Sequence, residues 1–134
     1  MKLTTKSEYA LLALIDLAES KETGLVKAKD IAERKKIPLK YLEQLFIILN
    51  RAGFAQSSRG AMGGYRLAKS PDKISLAEII RLMDGALAPV GSASHYFYSH
   101  TPIEQCPPLL QVLKVVRDYI SDKMERTTIA DLVK

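Results

Sequence analysis

Apolar residues recur at helical spacing along most of this chain, broken once by a short glycine-rich stretch with strand-like flanks. Thr5-Lys6-Ser7-Glu8 fits a capping box opening a first helix. Tyr9 to Ala18 is then apolar almost all round, which predicts a helix buried on most faces, with a second subunit as one candidate cover. Residues 19–24 form a polar break. Lys27 to Lys35 predicts a short helix with Ala28, Ile31 and Ala32 turned inward and a weak N-cap, because no Ser, Thr, Asp or Asn stands at its start. Lys35-Lys36-Ile37 predicts a turn. Pro38 suits the first position of the next helix, which runs to about Ala52 and is closed by Gly53. Leu42, Leu45, Phe46 and Leu49 follow the i, i+3, i+4, i+7 pattern and face the core, leaving Lys40, Glu43 and Gln44 together on the opposite side. A short helix, a tight turn and a second helix of this polarity make a helix-turn-helix pattern.

The period then changes. Phe54-Ala55-Gln56-Ser57-Ser58 reads as a strand, Arg59 to Gly64 as a glycine-bearing turn, and Tyr65-Arg66-Leu67 as the returning strand. Ser75-Leu76-Ala77-Glu78 is another capping box, opening a helix to about Asp84 that Gly85 ends; Leu76, Ile79, Ile80 and Met83 pack inward. Residues 86–108 read as an irregular loop, long enough for a small protein to suggest a function. Leu109 to about Arg126 is a long amphipathic helix. Its apolar stripe is Leu109, Leu113, Val116, Ile120 and Met124, and Lys114, Asp118, Asp122 and Glu125 lie mainly on another side. That stripe needs a cover, and a second copy of the helix is the simplest one. A short helix begins at Thr128, with Asp131 in its first turn. The expected fold is mostly α with a small β wing. Residues 1–85 form a winged helix-turn-helix domain, 86–108 an effector or sensor loop, and 109–134 a dimerisation helix with a C-terminal tail.

Charge sharpens this picture. The chain of 134 residues carries a net +5. Residues 1–70 hold 13 Lys or Arg against 7 Asp or Glu, and residues 71–134 hold 7 against 8. The positive half coincides with the helix-turn-helix and wing, as expected of a surface facing a polyanion. No apolar run approaches a membrane span, and Met1-Lys2-Leu3 leads into helix-forming sequence without a signal-peptide core. A single cysteine, Cys106, rules out an internal disulfide framework, and the cytoplasm is the expected compartment. Enzyme signatures are lacking: no Ser-His-Asp or Cys-His arrangement in recognisable context, no HExxH, no GxxxxGK[ST]. The Gly63-Gly64 pair follows a hairpin turn and opens no helix, so it is not a nucleotide cradle.

Duplex DNA suits the chemistry of the basic half. Lys40 and Gln44 can donate to base acceptors in a major groove, and Glu43 can accept from a cytosine amino group or repel phosphates in a wrong register. Tyr41 can touch the backbone or stack on the core. Ser57, Ser58 and Arg59 on the wing are placed for phosphate or minor-groove contact. Each residue alone also reads as solvated surface; the joint pattern is much more specific. The full candidate DNA-facing set is Lys6, Tyr9, Lys29, Leu39, Lys40, Tyr41, Glu43, Gln44, Ser57, Ser58, Arg59, Gly60, Gly63, Gly64 and Tyr65.

Several segments carry a resemblance: Leu3-Thr4-Thr5-Lys6, Tyr9-Ala10, Asp30-Ile31-Ala32-Glu33-Arg34, Ile37-Pro38-Leu39-Lys40-Tyr41-Leu42-Glu43-Gln44-Leu45, Arg59-Gly60, Gly63-Gly64-Tyr65-Arg66-Leu67, Ala86-Leu87-Ala88-Pro89-Val90, Arg117-Asp118 and Ala130-Asp131-Leu132-Val133. Through them the chain resembles the Rrf2 family of bacterial winged-helix transcriptional regulators, the IscR/CymR-like proteins. The resemblance implies a homodimer with crossed C-terminal helices and two winged domains reading a near-palindromic operator, most simply as a repressor. It puts Lys40 to Gln44 on the recognition helix and Arg59 on the wing. One departure stands out. Cluster-binding members carry three cysteines in the loop before the long helix, and this chain has Cys106 alone, with Gly91-Ser92-Ala93-Ser94 near the expected first position. The usual three-thiolate [2Fe–2S] site therefore cannot form within one subunit. No cofactor is expected. The alternative is a sensor holding a metal or iron–sulfur cluster with mixed ligands from His95, His100, Glu104 and Cys106. Against it stand solvated loop histidines with a half-buried structural Cys106, or a redox-reactive Cys106. Tyr96, Phe97 and Tyr98 can line a small-molecule pocket or a dimer contact, and read first as packing residues. A regulator acting through an effector or a partner enzyme is the remaining reading.

Overall fold

A computed structural model describes residues 2–20 and 24–133. The polar break expected at 19–24 falls in part on residues 21–23, outside the described residues. Within them the chain runs α1 (Thr5–Glu19), α2 (Ala28–Lys35), α3 (Leu39–Arg51), β1 (Ala55–Ser58), β2 (Gly64–Leu67), α4 (Leu76–Asp84) and α5 (Pro107–Arg126), with a final 3-10 turn over Ile129–Leu132. The strands pair antiparallel, with Ser57 opposite Tyr65 and Ser58 opposite Gly64.

The core gathers around α1. Its Ala10, Ala13, Leu14 and Leu17 meet Ile31 of α2, Leu42, Leu45, Phe46 and Leu49 of α3, Ile79 and Met83 of α4, and Ile129. α1 is therefore covered from within its own chain by α3, α4 and the final turn, while Leu12 stays exposed. One buried charged residue interrupts this core. Asp16, 2% exposed, accepts two 2.9 Å bonds from the Arg34 guanidinium. This fork-to-fork pairing locks α2 across α1 and keeps Arg34 charged above its ordinary range through the Asp16 hydrogen bonds.

Helix starts differ from expectation by a residue or two. Thr4, not Thr5, caps α1: its hydroxyl accepts from the Ser7 amide at 3.3 Å and donates to Asp84. Asp84 sits at the end of α4, and this second partner draws Thr4 rather than Thr5 into the cap. Pro38 is the cap of α3 rather than its first residue, with its carbonyl accepting from Leu42 at 3.0 Å. Lys27 caps α2 without a side-chain bond, as its chemistry requires, and Lys36 closes it in the left-handed conformation at φ 59°. α5 begins at Pro107 instead of Leu109, since two prolines fit a first turn that leaves its amides unbonded anyway. The short final helix forms as a 3-10 turn, and Thr128 and Asp131 close a capping box at its start that the sequence pattern does not single out. At α4 the expected box is half made: the Ser75 hydroxyl accepts from the Glu78 amide at 3.2 Å.

The stripe on α5 divides. Ile120 and Met124 pack against Ala77 and Ile80 of α4 and Leu87, within the same chain. Leu109 and Val116 stay exposed, joined by Val112, Val115 and Tyr119. The helix thus has two apolar edges, and the outward one is shorter and differently composed than the single stripe expected. The 86–108 segment is not structureless. It makes 3-10 turns at Gly91–Ala93 and Pro102–Gln105, a 2.7 Å hydroxyl pair between Ser92 and Thr101, and a 3.0 Å bond from Arg117 to the Ala93 carbonyl.

Candidate nucleic-acid interface

α3 presents an exposed, mostly polar side because its core stripe fills the other. Leu39, Lys40, Tyr41, Glu43, Gln44 and Ile47 are all exposed, while Leu42, Leu45, Phe46 and Leu49 are buried. Lys40, Gln44 and Ile47 occupy one face, and the side chains of Lys40 and Gln44 make no hydrogen bond or ion pair to the described residues. Tyr41 does not stack on the core; its ring meets that of Tyr9 edge-on at 5.5 Å, tying α3 to α1. Lys6 sits half-buried near the start of α1, and Lys29 is exposed on α2.

The wing is laced to the helices at four points. The Tyr65 ring stacks on Phe46, centroids 3.9 Å apart. Tyr65 and Val26 exchange backbone bonds of 2.7 and 2.8 Å, making Val26, two residues before α2, a third, one-residue strand. Asn50 at the end of α3 donates to the Ser57 hydroxyl at 3.1 Å. Lys27 reaches the Ala61 carbonyl in the turn at 2.7 Å. Gly64 makes the Val26 pairing possible: a Cβ there would lie 2.6 Å from the Val26 oxygen, at a φ of +156°. Tyr65 therefore works as a brace rather than an exposed contact. Burial, and then the charge of Glu43, push its phenol above the usual range. Ser57, Ser58, Arg59 and Gly60 line a cleft together with Lys27, Ile47 and Asn50 of the helices.

Positive charge is sorted across this half. Arg34 and Lys35 are engaged by Asp16 and Glu19 on α1. Arg66 bonds Gln56 across the hairpin at 3.1 Å. Lys29, Lys40, Arg51 and Arg59 make no ion pair among the described residues and remain available to an anion. Ile47, Asn50 and Lys27 line this cleft, and the sequence pattern does not single them out. Ile47 carries a signal all the same, falling seven residues after Lys40 and off the core stripe.

The loop residues are placed apart. His95 faces Asp118 of α5 at 3.5 Å, whereas His100 bonds Glu104 at 2.9 Å and Glu104 also accepts from the Tyr98 hydroxyl. Those hydrogen bonds, Tyr98's first, hold the Glu104 carboxyl below its usual range. Cys106 is exposed rather than half-buried. Tyr96, Phe97 and Tyr98 are also exposed, so they do not form core packing, although Arg81 lies over the Tyr96 ring at 4.8 Å. Among the described residues, no three His, Cys, Asp or Glu are grouped to hold a metal, and no helix is long and apolar enough to cross a membrane.

A family model described as Rrf2, iron-dependent transcriptional regulator, matches residues 3–134. A Synechocystis protein whose name places it among HTH-type transcriptional regulators is 51% identical over 89 residues, 66% of this chain. The match spans 60% of that relative's own length. The HTH-type transcriptional regulator CymR of Bacillus subtilis is 35% identical over 133 residues, covering 98% of this chain and 89% of its own. In three dimensions the chain superposes on CymR, the global cysteine regulator of B. subtilis, with a TM-score of 0.80 at 33% identity over 98% of this chain and 95% of that one. It superposes on T. potens IscR with a TM-score of 0.74 at 34% identity, covering 98% of this chain and 85% of that one. The iron named in the family description finds no fitting donor set here: the described His, Glu and Cys side chains of the loop are dispersed or bonded to one another.

Proposed function

Since the chain belongs to the Rrf2 family of transcriptional regulators, we propose that it is a sequence-specific DNA-binding regulator that acts as a homodimeric repressor on a near-palindromic operator. The observation that carries this is the pairing of an unengaged polar face on α3 with a wing braced beside it. Lys40, Glu43 and Gln44 read base edges, and Arg59, Ser57 and Ser58 hold the flanking backbone. Lys6, Tyr9, Lys29, Leu39, Tyr41 and the wing glycines Gly60, Gly63 and Gly64 complete or shape the contact surface. Two copies joined through Leu109, Val112, Val116 and Tyr119 of α5 place their α3 helices in successive major grooves, about 34 Å apart. The compartment is the cytoplasm, where the DNA is.

The test is a mobility-shift titration of the full chain on the duplex upstream of its own coding sequence, against a scrambled duplex, across a salt series. A preference of about 1,000-fold or more, with affinity falling steeply as salt rises, is expected. Equal affinity for both duplexes overturns the reading.

In this reading DNA binding needs no resident cluster or metal, because His95 is held by Asp118 and His100 by Glu104. Anaerobic purification should give a colourless protein that still binds the duplex. A visible absorption band with stoichiometric iron, and binding lost with the iron, overturns this part alone.

A further inference from the structure

Ile47 is out of place by ordinary rules of burial. It is a large aliphatic side chain, 51% exposed, at the centre of the polar side of α3. It follows Lys40, Glu43 and Gln44 at i+7, i+4 and i+3, so the four share one face. It also opens onto the cleft that runs from α3 to Ser57, Ser58 and Arg59 of the wing. Nothing among the described residues covers it, and the charged and amide groups around it exclude an ordinary protein–protein patch, whose centre is depleted in charge. A major-groove floor offers one apolar feature to such a side chain, the 5-methyl group of thymine. Lys40, Glu43 and Gln44 satisfy hydrogen-bonding edges; Ile47 is the member of the face that can bury a methyl and gain from it.

We propose that Ile47 is a specificity-determining residue that reads a thymine methyl in each half-site, about one helical turn along α3 from Glu43 and Gln44. This rests on the DNA-binding reading above. It adds that the preferred half-site contains a thymine selected by shape and apolar contact, independent of its hydrogen bonds.

The experiment uses the full-length protein and duplexes enriched by it from a random pool. Each thymine of an enriched duplex is replaced singly by deoxyuridine, which removes the methyl and nothing else. For the wild type, one replacement per half-site should weaken binding about three- to five-fold. The Ile47→Ala protein should bind the thymine duplex more weakly and be indifferent to that replacement. Ile47→Val, which keeps a branched aliphatic group, should retain the sensitivity. The thermal midpoints of both variants report that an exposed position leaves the fold intact. If no duplex is enriched over the starting pool, the DNA-binding reading itself falls and this proposal with it. Enrichment with deoxyuridine neutral at every position overturns the proposal alone. So does a deoxyuridine penalty that persists undiminished in Ile47→Ala, since another side chain would then contact the methyl.

Discussion

The ring of Tyr65 lies almost flat on that of Phe46, with centroids 3.9 Å apart and planes 12° from parallel. The contact joins the second wing strand to the buried side of α3, so the angle between α3 and the wing depends on it. Tyr65→Ala should lower unfolding free energy by about 2–4 kcal/mol, read by urea denaturation followed by far-ultraviolet circular dichroism. Tyr65→Phe keeps the stack and should match the wild type in stability and DNA affinity. A stable Tyr65→Ala protein with full affinity would show that the wing is positioned by other contacts.

Gln44 and Arg59 are predicted to fail in different ways. Gln44→Ala should reduce discrimination between operator and random duplex about ten-fold or more, leaving affinity for random duplex unchanged. Arg59→Ala should weaken both and flatten the salt dependence by about one unit of slope. Fluorescence anisotropy at several salt concentrations measures both. Parallel loss on the two sequences for Gln44→Ala would count against base reading.

The helix-turn-helix is legible in the sequence because the core stripe Leu42, Leu45, Phe46, Leu49 and the polar set Lys40, Glu43, Gln44 obey one helical period. The hairpin is legible because glycines and arginines interrupt that period. Contacts between side chains far apart in sequence are not. Nothing local says that Asp16 and Arg34 will meet, that Asn50 will reach Ser57, or that Val26 will pair with Tyr65. The stripe of α5 shows the same limit. Periodicity finds the apolar positions, but only the position of α4 assigns Ile120 and Met124 to the inside and leaves Val112 and Tyr119 outside. Loop residues 86–108 carry no period at all, so their turns and the separation of His95 from His100 appear only in three dimensions.

The outward edge of α5 gives a direct prediction. Val112→Asp places a carboxylate in the exposed apolar strip of Leu109, Val116 and Tyr119. Sedimentation equilibrium should show a monomer where the wild type is a dimer, with far-ultraviolet dichroism unchanged. Affinity for a duplex with two half-sites should drop about 100-fold or more, while a single half-site is bound as before. A Val112→Asp dimer would place the subunit contact elsewhere.

Acid should loosen the join between α1 and α4. Partial burial pushes the Asp84 carboxyl up, but the bonds it accepts from the Thr4 hydroxyl and amide, with the Ser7 side chain and the charge of Lys6, together hold it below its ordinary value. A carboxylate with a depressed folded pKa contributes stability that is present above the unfolded value of about 3.9 and is lost as pH falls through the lower folded value. Thermal midpoints taken from pH 6 down to pH 2.5 should therefore fall less steeply in Asp84→Asn than in the wild type, from a lower start at pH 6. Parallel curves would remove Asp84 from the acid response.

Val26, Lys27, Phe46 and Asn50 hold the hairpin before any duplex arrives. Encounter then needs no slow shaping of the arm. Association should proceed in a single step, steered by charge, and differences among operators should show in how long each complex lasts rather than how quickly it forms.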